Sequence, residues 1–466
     1  MANREKFLSG ITILLLTCCP WASRAASQAE GISPVPADPE IAAALRNVSS
    51  QRIQQTIEKL VSFQTRHTLS SDVPASTGKG INAAAEWIKG EFESYSKACG
   101  GCLEVKTDEF TQEPGNRVPR PTKLTNVYAI LRSSDASNAS RIVLVTGHYD
   151  SRNSETNDAT GASPGANDDG SGTAVSLECA RVLSQYKFPA TIIFLTVAGE
   201  EQGLYGSAHF AKMARAQGWN IEAVLNNDIV GGDKTPGDTK QDPHTVRVFS
   251  EGIRAAAAES ASVPGRGLGG ENDGPSRQLA RYIAAVSPAY FPPDNFHPMI
   301  VFRRDRYLRG GDHISFNEQG YAAVRFTEYR ENYDHQHQNV RTENGVEYGD
   351  LPKFVDYNYV ANVARLNAAT LASLASAPAP PAKVRILTKA LVNDSTLIWE
   401  ASPGGLATGY LVLWRDTAAP DWERAQTFGN VTQATLPMSK DNVIFAVQAT
   451  DANGHRSLPV VPVPER

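Results

Sequence analysis

Cysteine is scarce: five in 466 residues, placed as Cys18-Cys19, Cys99-Gly-Gly-Cys102 and a lone Cys179. A cysteine-ligated zinc knuckle needs a second CxxC pair, and there is none. The flanks of CGGC do not make a thioredoxin-type redox motif, which leaves a local disulfide in an exported chain. Cys179 lies in the apolar stretch Val175–Leu183 and reads as a small buried side chain. Long apolar runs are missing as well. Ile11–Cys19 is too short to span a bilayer and no later segment is longer, so stable membrane insertion is not expected. No basic run is long enough for a nucleic-acid surface, and the formal net charge is −5.

What is present first is an export signal. Arg4 and Lys6 precede the short apolar stretch, and Ser23-Arg24-Ala25-Ala26 offers cleavage after Ala25 or Ala26. Cys18 follows Thr17, a poor match to a lipid-attachment site, so cleavage and release rank higher. The expected location is secreted or periplasmic, with residues 1–26 as signal and 27–40, polar and with three prolines, as a flexible segment.

Hydrophobic periodicity orders the rest. Ile41, Leu45, Ile53, Ile57 and Leu60 predict two helices with a break near Asn47–Ser50. Ile81, Ala84, Trp87, Ile88 and Phe92 share one face of a helix over 81–97. Strands are expected at 103–110, 126–131 and 141–146, the last nearly all apolar and so covered on both faces. Then come helix 172–185, strand 191–197, helix 204–217 and strand 222–228. This alternation predicts an α/β three-layer sandwich around a mostly parallel mixed sheet. Residues 245–260 suit a further helix, 262–312 an insertion or lining loop, 321–326 a strand and 355–375 a closing helix. The catalytic unit is thus expected over 41–375.

Composition shifts after that. Residues 376–383 read as an extended, exposed, protease-sensitive Pro/Ala linker. Short alternating strands over 384–466 predict a small antiparallel β-sandwich. Trp399, the strand Tyr410–Trp414 and the segment 445–457 resemble a fibronectin type III module. Such modules attach enzymes to surfaces or polymers, the binding role expected here.

Four strand ends carry chemistry. His148 and Asp150 follow the strand at 141–146, in Gly-His-Tyr-Asp. Asp168 and Asp169 stand in the glycine-framed turn PGANDDGSG. Glu200 and Glu201 follow Ile192–Val197, and Asp228 follows the next strand. A mixed histidine and carboxylate set suits zinc, and shared carboxylates suit two ions. Two ions about 3.5–4 Å apart can hold and activate one water. That water needs a base that is not itself a ligand, and adjacent glutamates can divide the two roles. Each motif alone has a plainer reading: an N-cap for Asp169, a solvated pair for Glu200 and Glu201.

GHYDS, PGANDDGSG, AGEEQGLYGS and NNDIVG, in this order, resemble the co-catalytic di-zinc aminopeptidase family. That family also contains aminopeptidase Y, glutamate carboxypeptidase II, the transferrin receptor and glutaminyl cyclase. The resemblance implies two Zn2+ ions per chain, with His148 and Asp228 on one, Glu201 on the other and Asp168 bridging. It implies Glu200 as general base and Asp150 as the partner of His148. A last histidine ligand is also implied; His297, His313, His335 and His337 compete, and His337 in NYDHQHQNVR is chosen, with His335 as the alternative. The family's oxyanion-binding tyrosine finds only Tyr307 near its place, one position off. The function implied is an exported zinc aminopeptidase acting on peptides. A one-zinc glutaminyl cyclase, a carboxypeptidase for acidic C-termini and a catalytically dead binding ectodomain are the alternatives.

Overall fold

The computed structural model describes residues 30–253, 270–292, 294–307 and 309–465. The expected signal, 1–26, lies outside these residues. In chain order the elements are β1 (Glu30–Gly31), α1 (Pro39–Leu45), α2 (Ser50–Ser62), α3 (Gly80–Ala98), β2 (Leu103–Gln112), β3 (Thr122–Leu131), β4 (Arg141–His148), α4 (Gly170–Leu183), β5 (Thr191–Val197), α5 (Glu200–Gly203), α6 (Tyr205–Ala216) and β6 (Asn220–Asn227). Then follow β7 (Thr245–Ser250), α7 (Pro275–Tyr290), β8 (His297–Val301), α8 (His313–Glu318), β9 (Ala323–Glu328), the small hairpin β10 (Arg341–Glu343) and β11 (Val346–Tyr348), and α9 (Tyr357–Ser376). The last part holds β12 (Ala382–Leu387), β13 (Ser395–Glu400), β14 (Gly409–Asp416), β15 (Arg424–Phe428), β16 (Gln433–Leu436), β17 (Val443–Thr450) and β18 (Val463–Glu465).

An eight-stranded sheet, ordered β2-β3-β5-β4-β6-β9-β7-β8, forms the middle layer. Its central run β5-β4-β6-β9 is parallel, and antiparallel pairings with β3 and β7 flank it. Side-chain alternation decides the layering. Val143, Val145, Ile192 and Phe194 face a core shared with α2, α3, α4, α7 and α9. Ile142, Leu144, Ile193 and Leu195, one position along, face Phe210 and Ala214 of α6 and Phe316 of α8. A strand covered on both faces must be apolar over most of its length, as Ile142–Val145 is. Cys99 and Cys102 form a disulfide, and Cys179 is buried and free.

Three expectations are corrected. Thr245–Ser250 is a strand, β7, not the start of a helix; its six residues pair with β8 and β9. Residues 254–260 of that expected helix lie outside the described residues. The segment 262–312 is not a loop throughout, since it holds α7 and β8. Proline at the first turn of α7 and a broad apolar face, Leu279, Ala280, Ile283 and Val286, explain that helix.

The third correction is the linker. Ala377 and Ala379 are buried, at 0% and 3% exposure, where an exposed spacer was expected. Alanine and proline can be buried if their carbonyls find donors. Arg141 Nη1 donates to Ala377 O at 2.7 Å, and Ser402 Oγ to Ala379 O at 2.6 Å. The seven C-terminal strands, joined by β1, form two four-stranded sheets around Trp399, Val412, Trp414 and Val447, and the sandwich packs on α7. There Arg415 holds Asp273 through both carboxylate oxygens at 2.9 and 3.0 Å, Arg281 reaches the same carboxylate, and all three side chains are buried. The N-terminal segment, expected to be flexible, is clasped to the same sandwich. Its strand β1 pairs with β15, and Asp38 meets His455 at 3.0 Å.

This junction generates two predictions. A chain cut after Ala375 loses the cover over α7 and is expected to aggregate, whereas the full chain unfolds in one calorimetric transition. Arg415→Met leaves buried charges unbalanced and should cost about 3 kcal/mol, or about 3 °C in Tm for a chain of this length. The second concerns pH. Asp451, then Asp38, hold the His455 pKa above its ordinary value. A raised folded pKa gives stability that is complete below about 6.5 and is lost as pH rises through the folded value. His455→Gln should remove that slope from a plot of Tm against pH.

Candidate metal centre

The carboxyl ends of adjacent parallel strands meet at one edge, where ligands of such sheets gather. β4 ends at His148. β5 ends at Val197, and Gly199, with φ +80°, turns the chain so that Glu200 and Glu201 start α5. Asp228 follows β6, Asp168 lies just before α4, and His337 comes from the loop after β9. A close approach brings these together: a Cβ on Gly147 would lie 2.4 Å from the carbonyl carbon of Gly172. Only glycine lets the first turn of α4 sit against the end of β4. Asp169 then accepts from the backbone N–H of His148 at 3.0 Å and of Gly172 at 2.8 Å. Asp350 receives the N–H groups of Asn167 and Asp168 at 2.8 and 2.7 Å.

Two groups of donor atoms result. His148, Glu200 and Asp228 form one, and Asp168, Glu201 and His337 the other, with atoms in each lying within 4.8 Å of one another. Asp168 reaches both: Oδ1 is 3.2 Å from His148 Nε2, and Oδ2 is 2.9 Å from His337 Nε2. Glu201 Oε1 is 3.0 Å from His337 Nε2. Glu200 and Asp228 each approach His148 Nε2 at 3.9 Å. His148 Nδ1 faces Asp150, 3.2 Å from its carbonyl and 3.3 Å from its carboxylate, leaving Nε2 toward the cluster.

These residues fit a metal. His148 Nε2, His337 Nε2 and Glu201 Oε1 are buried and aligned with no hydrogen-bond partner, a costly state unless something else binds them. Histidine and carboxylate together are a zinc donor set. Burial opposes the charge of His148, yet Glu200, Asp150, Asp168 and Asp228 hold its pKa well above the ordinary value. Asp168 lies well below its ordinary value, burial being outweighed by His337 and His148. Burial and the carboxylates of Asp228, Asp312 and Glu201 drive Glu200 well up.

Sequence reasoning missed the groups that hold these side chains. Arg325, fully buried, meets Asp228 Oδ1 at 2.8 Å. Arg152 meets Glu201 Oε2 at 3.1 Å and His337 Nδ1 at 2.7 Å. Gln336 donates to Asp168 Oδ2 at 2.9 Å. All are long-range contacts with no local spacing signal. His335 points away from the cluster, 2.8 Å from Asp233 Oδ1 and stacked on Phe354. His313 faces the carbonyl of Arg304, and His297 lies on β8 beside Thr245. Tyr307 is 79% exposed and receives a hydrogen bond from Arg303, so it stands outside the cluster. Above the donor groups lies a cavity of about 330 Å³.

Residues 126–345 match the sequence profile of peptidase family M28. A probable zinc metalloprotease of Pyrenophora tritici-repentis is 44% identical over 92% of this chain and 88% of its own. Another, from Leptosphaeria maculans, is 44% identical over 93% of this chain and 99% of its own. Among solved structures, the Legionella pneumophila LapA aminopeptidase matches with a TM-score of 0.52 and 24% identity, covering 75% of this chain and 78% of its own. That likeness is one of fold.

Zinc bound at about a thousand times its Kd would stabilise the fold by about 4 kcal/mol. Chelation should therefore lower Tm, and zinc should restore it. Asp168→Ala, which touches both groups, should abolish the restoration and strip the zinc found by elemental analysis. A Tm indifferent to chelator and zinc would count against a metal centre here.

Proposed function

The chain belongs to peptidase family M28 and is a zinc metallopeptidase, and from that premise we propose that it is an exported aminopeptidase holding two zinc ions. The observation that carries the two-ion reading is Asp168, whose oxygens lie toward different donor groups. His148 and Asp228 would hold one ion and Glu201 and His337 the other, with Asp168 placed to serve both. The cavity, about 330 Å³, can receive the end of a peptide, which is compatible with an exopeptidase. The LapA neighbour is an aminopeptidase, which fits this reading. The N-terminal charge and apolar pattern supports export, as does the Cys99–Cys102 disulfide.

Zinc in this place supplies a Lewis acid for the scissile carbonyl and lowers the pKa of water. The protein's own groups do the rest. Glu200 takes a proton from the attacking water and delivers it to the departing amine. Its carboxylate is 14% exposed, more than those of Asp168, Glu201 and Asp228 at 6%, 4% and 3%. Arg325 pins Asp228 and Arg152 pins Glu201; among the described residues only His148 lies within ion-pair distance of Glu200. A less tethered carboxylate at the cavity floor is suited to moving a proton. Asp150 fixes the ring of His148.

Distance alone does not separate Glu200 from Asp228, since both stand 3.9 Å from His148 Nε2. Substitution does. Glu200→Gln should keep two zinc ions and lower kcat by about two to four orders of magnitude, with KM little changed. Glu201→Gln should lose zinc. Metal analysis beside steady-state kinetics on aminoacyl substrates reads both. Zinc loss in Glu200→Gln with full zinc in Glu201→Gln would reverse the two roles.

A further inference from the structure

The rim of the metal cavity is cationic. Arg117, Arg152, Arg306 and Arg309 all line it. Their carboxylate partners are few and shared. Glu331 serves Arg247, Arg306 and Arg309 at once. Asp305 serves Arg306, Arg325 and His313. Arg117 Nη1 donates to the backbone carbonyl of Glu201 at 3.0 Å, and among the described residues no carboxylate lies within ion-pair distance of it. Arg152 meets Glu201 Oε2, the ring of His337 and the Thr156 hydroxyl, and among the described residues Glu201 is its one carboxylate partner. The four carboxylates of the floor are proposed to face two divalent cations, which cancel their charge. The rim arginines then outnumber the acids left to balance them.

Arg152 sharpens the point. It donates to His337 Nδ1 at 2.7 Å. Its guanidinium thus stands at the edge of the floor, between the ring of His337 and the carboxylate of Glu201. Arg309, one-third exposed, already reaches toward the floor, through Gln336 Oε1 at 2.8 Å to Asp168.

We infer that the zinc-loaded site selects peptide ends carrying a carboxylate within about one residue of the scissile bond, held by Arg309 with Arg117 and Arg152. The inference rests on the aminopeptidase reading and names its substrate class. The carboxylate can be the side chain of an N-terminal Asp or Glu, or the terminal carboxylate of a dipeptide.

The test uses the zinc-loaded full chain. One arm compares glutamyl with leucyl p-nitroanilide; the other compares leucyl-glycine with leucyl-glycinamide. A charge-assisted contact should favour the acid-bearing member by about tenfold in kcat/KM, mostly through KM. Advantage in the first arm assigns the side-chain carboxylate, in the second the terminal one, and either supports the inference. Arg309→Gln and Arg117→Gln should reduce that advantage, and added salt should raise KM for the acidic substrate. Glutarate binding, measured by calorimetry, gives a readout apart from turnover: it should need zinc and weaken at least about fivefold in Arg309→Gln. Hydrolysis of neutral substrates with no acidic advantage and no glutarate binding would overturn the inference and leave the peptidase reading intact. Glutarate binding that depends on Arg309, with no hydrolysis of any substrate, would sink the peptidase reading and keep the anion site.

Discussion

The site depends on one buried carboxylate, Asp150. It accepts the Thr68 hydroxyl at 2.7 Å and the backbone N–H groups of Glu200 and Glu201 at 3.2 Å each, and it faces His148 Nδ1. Four demands meet in one side chain that is 0% exposed. Burial alone raises a carboxyl pKa, yet His148 and these donors hold Asp150 below its ordinary value. The anion therefore persists and ties the end of β4 to the first turn of α5. That tie sets His148 and the two glutamates at a common depth. Removing it would free the ring and the helix start together, so its effect should exceed that of a single hydrogen bond.

Around this anchor the interior is arranged as alternating charge. Glu201, Asp168 and Asp228 would repel one another at these separations without compensation. Arg152 and Arg325 supply part of it, and the histidines part. Arg66, wholly buried, grips the carbonyls of Tyr149, Pro164 and Gly165 at 2.6–2.7 Å, and so holds the two loops that carry Asp150 and Asp168. Desolvation pulls its pKa down to about 10, still far above neutrality, so it stays charged. A buried arginine with each guanidinium nitrogen hydrogen-bonded positions loops more rigidly than apolar contact could.

Much of this was legible in the sequence because strand ends announce themselves. The runs at 141–146 and 191–197 are mostly apolar, so His148, Glu200 and Glu201 fall where such strands must stop. Asp228 follows the same rule, and Asp168 stands in the glycine-framed turn before α4. The parts that were not legible depend on contacts far apart in the chain. Arg325 reaches Asp228 and Arg141 reaches Ala377 with no periodic sign of either. His335 and His337 are two residues apart; only the turn at His337, with φ +56°, and the pairing of His335 with Asp233 separate them. Thr245–Ser250 was misread because six residues are too few for periodicity to decide. The Pro/Ala stretch was misread because composition reports propensity for an extended chain, not whether donors wait for its carbonyls.

The sandwich belongs to the argument about the site because of where it rests. α7 is clamped from outside by Arg415 on Asp273, by Trp422 Nε1 on Gln278, and by the carbonyl of Pro420 on Arg281. The chain then runs from α7 into β8, the edge strand, and on through Arg306 and Arg309 at the cavity rim. Edge strands are the least constrained part of a sheet. Bracing α7 limits how far β8 and the segment after it can shift. Glu331, from beyond β9, holds Arg306 and Arg309 from the other side. The rim arginines are thus fixed from both directions, one of them through the C-terminal strands. A module that sequence alone separates from the catalytic unit is, in the folded chain, part of what shapes its wall.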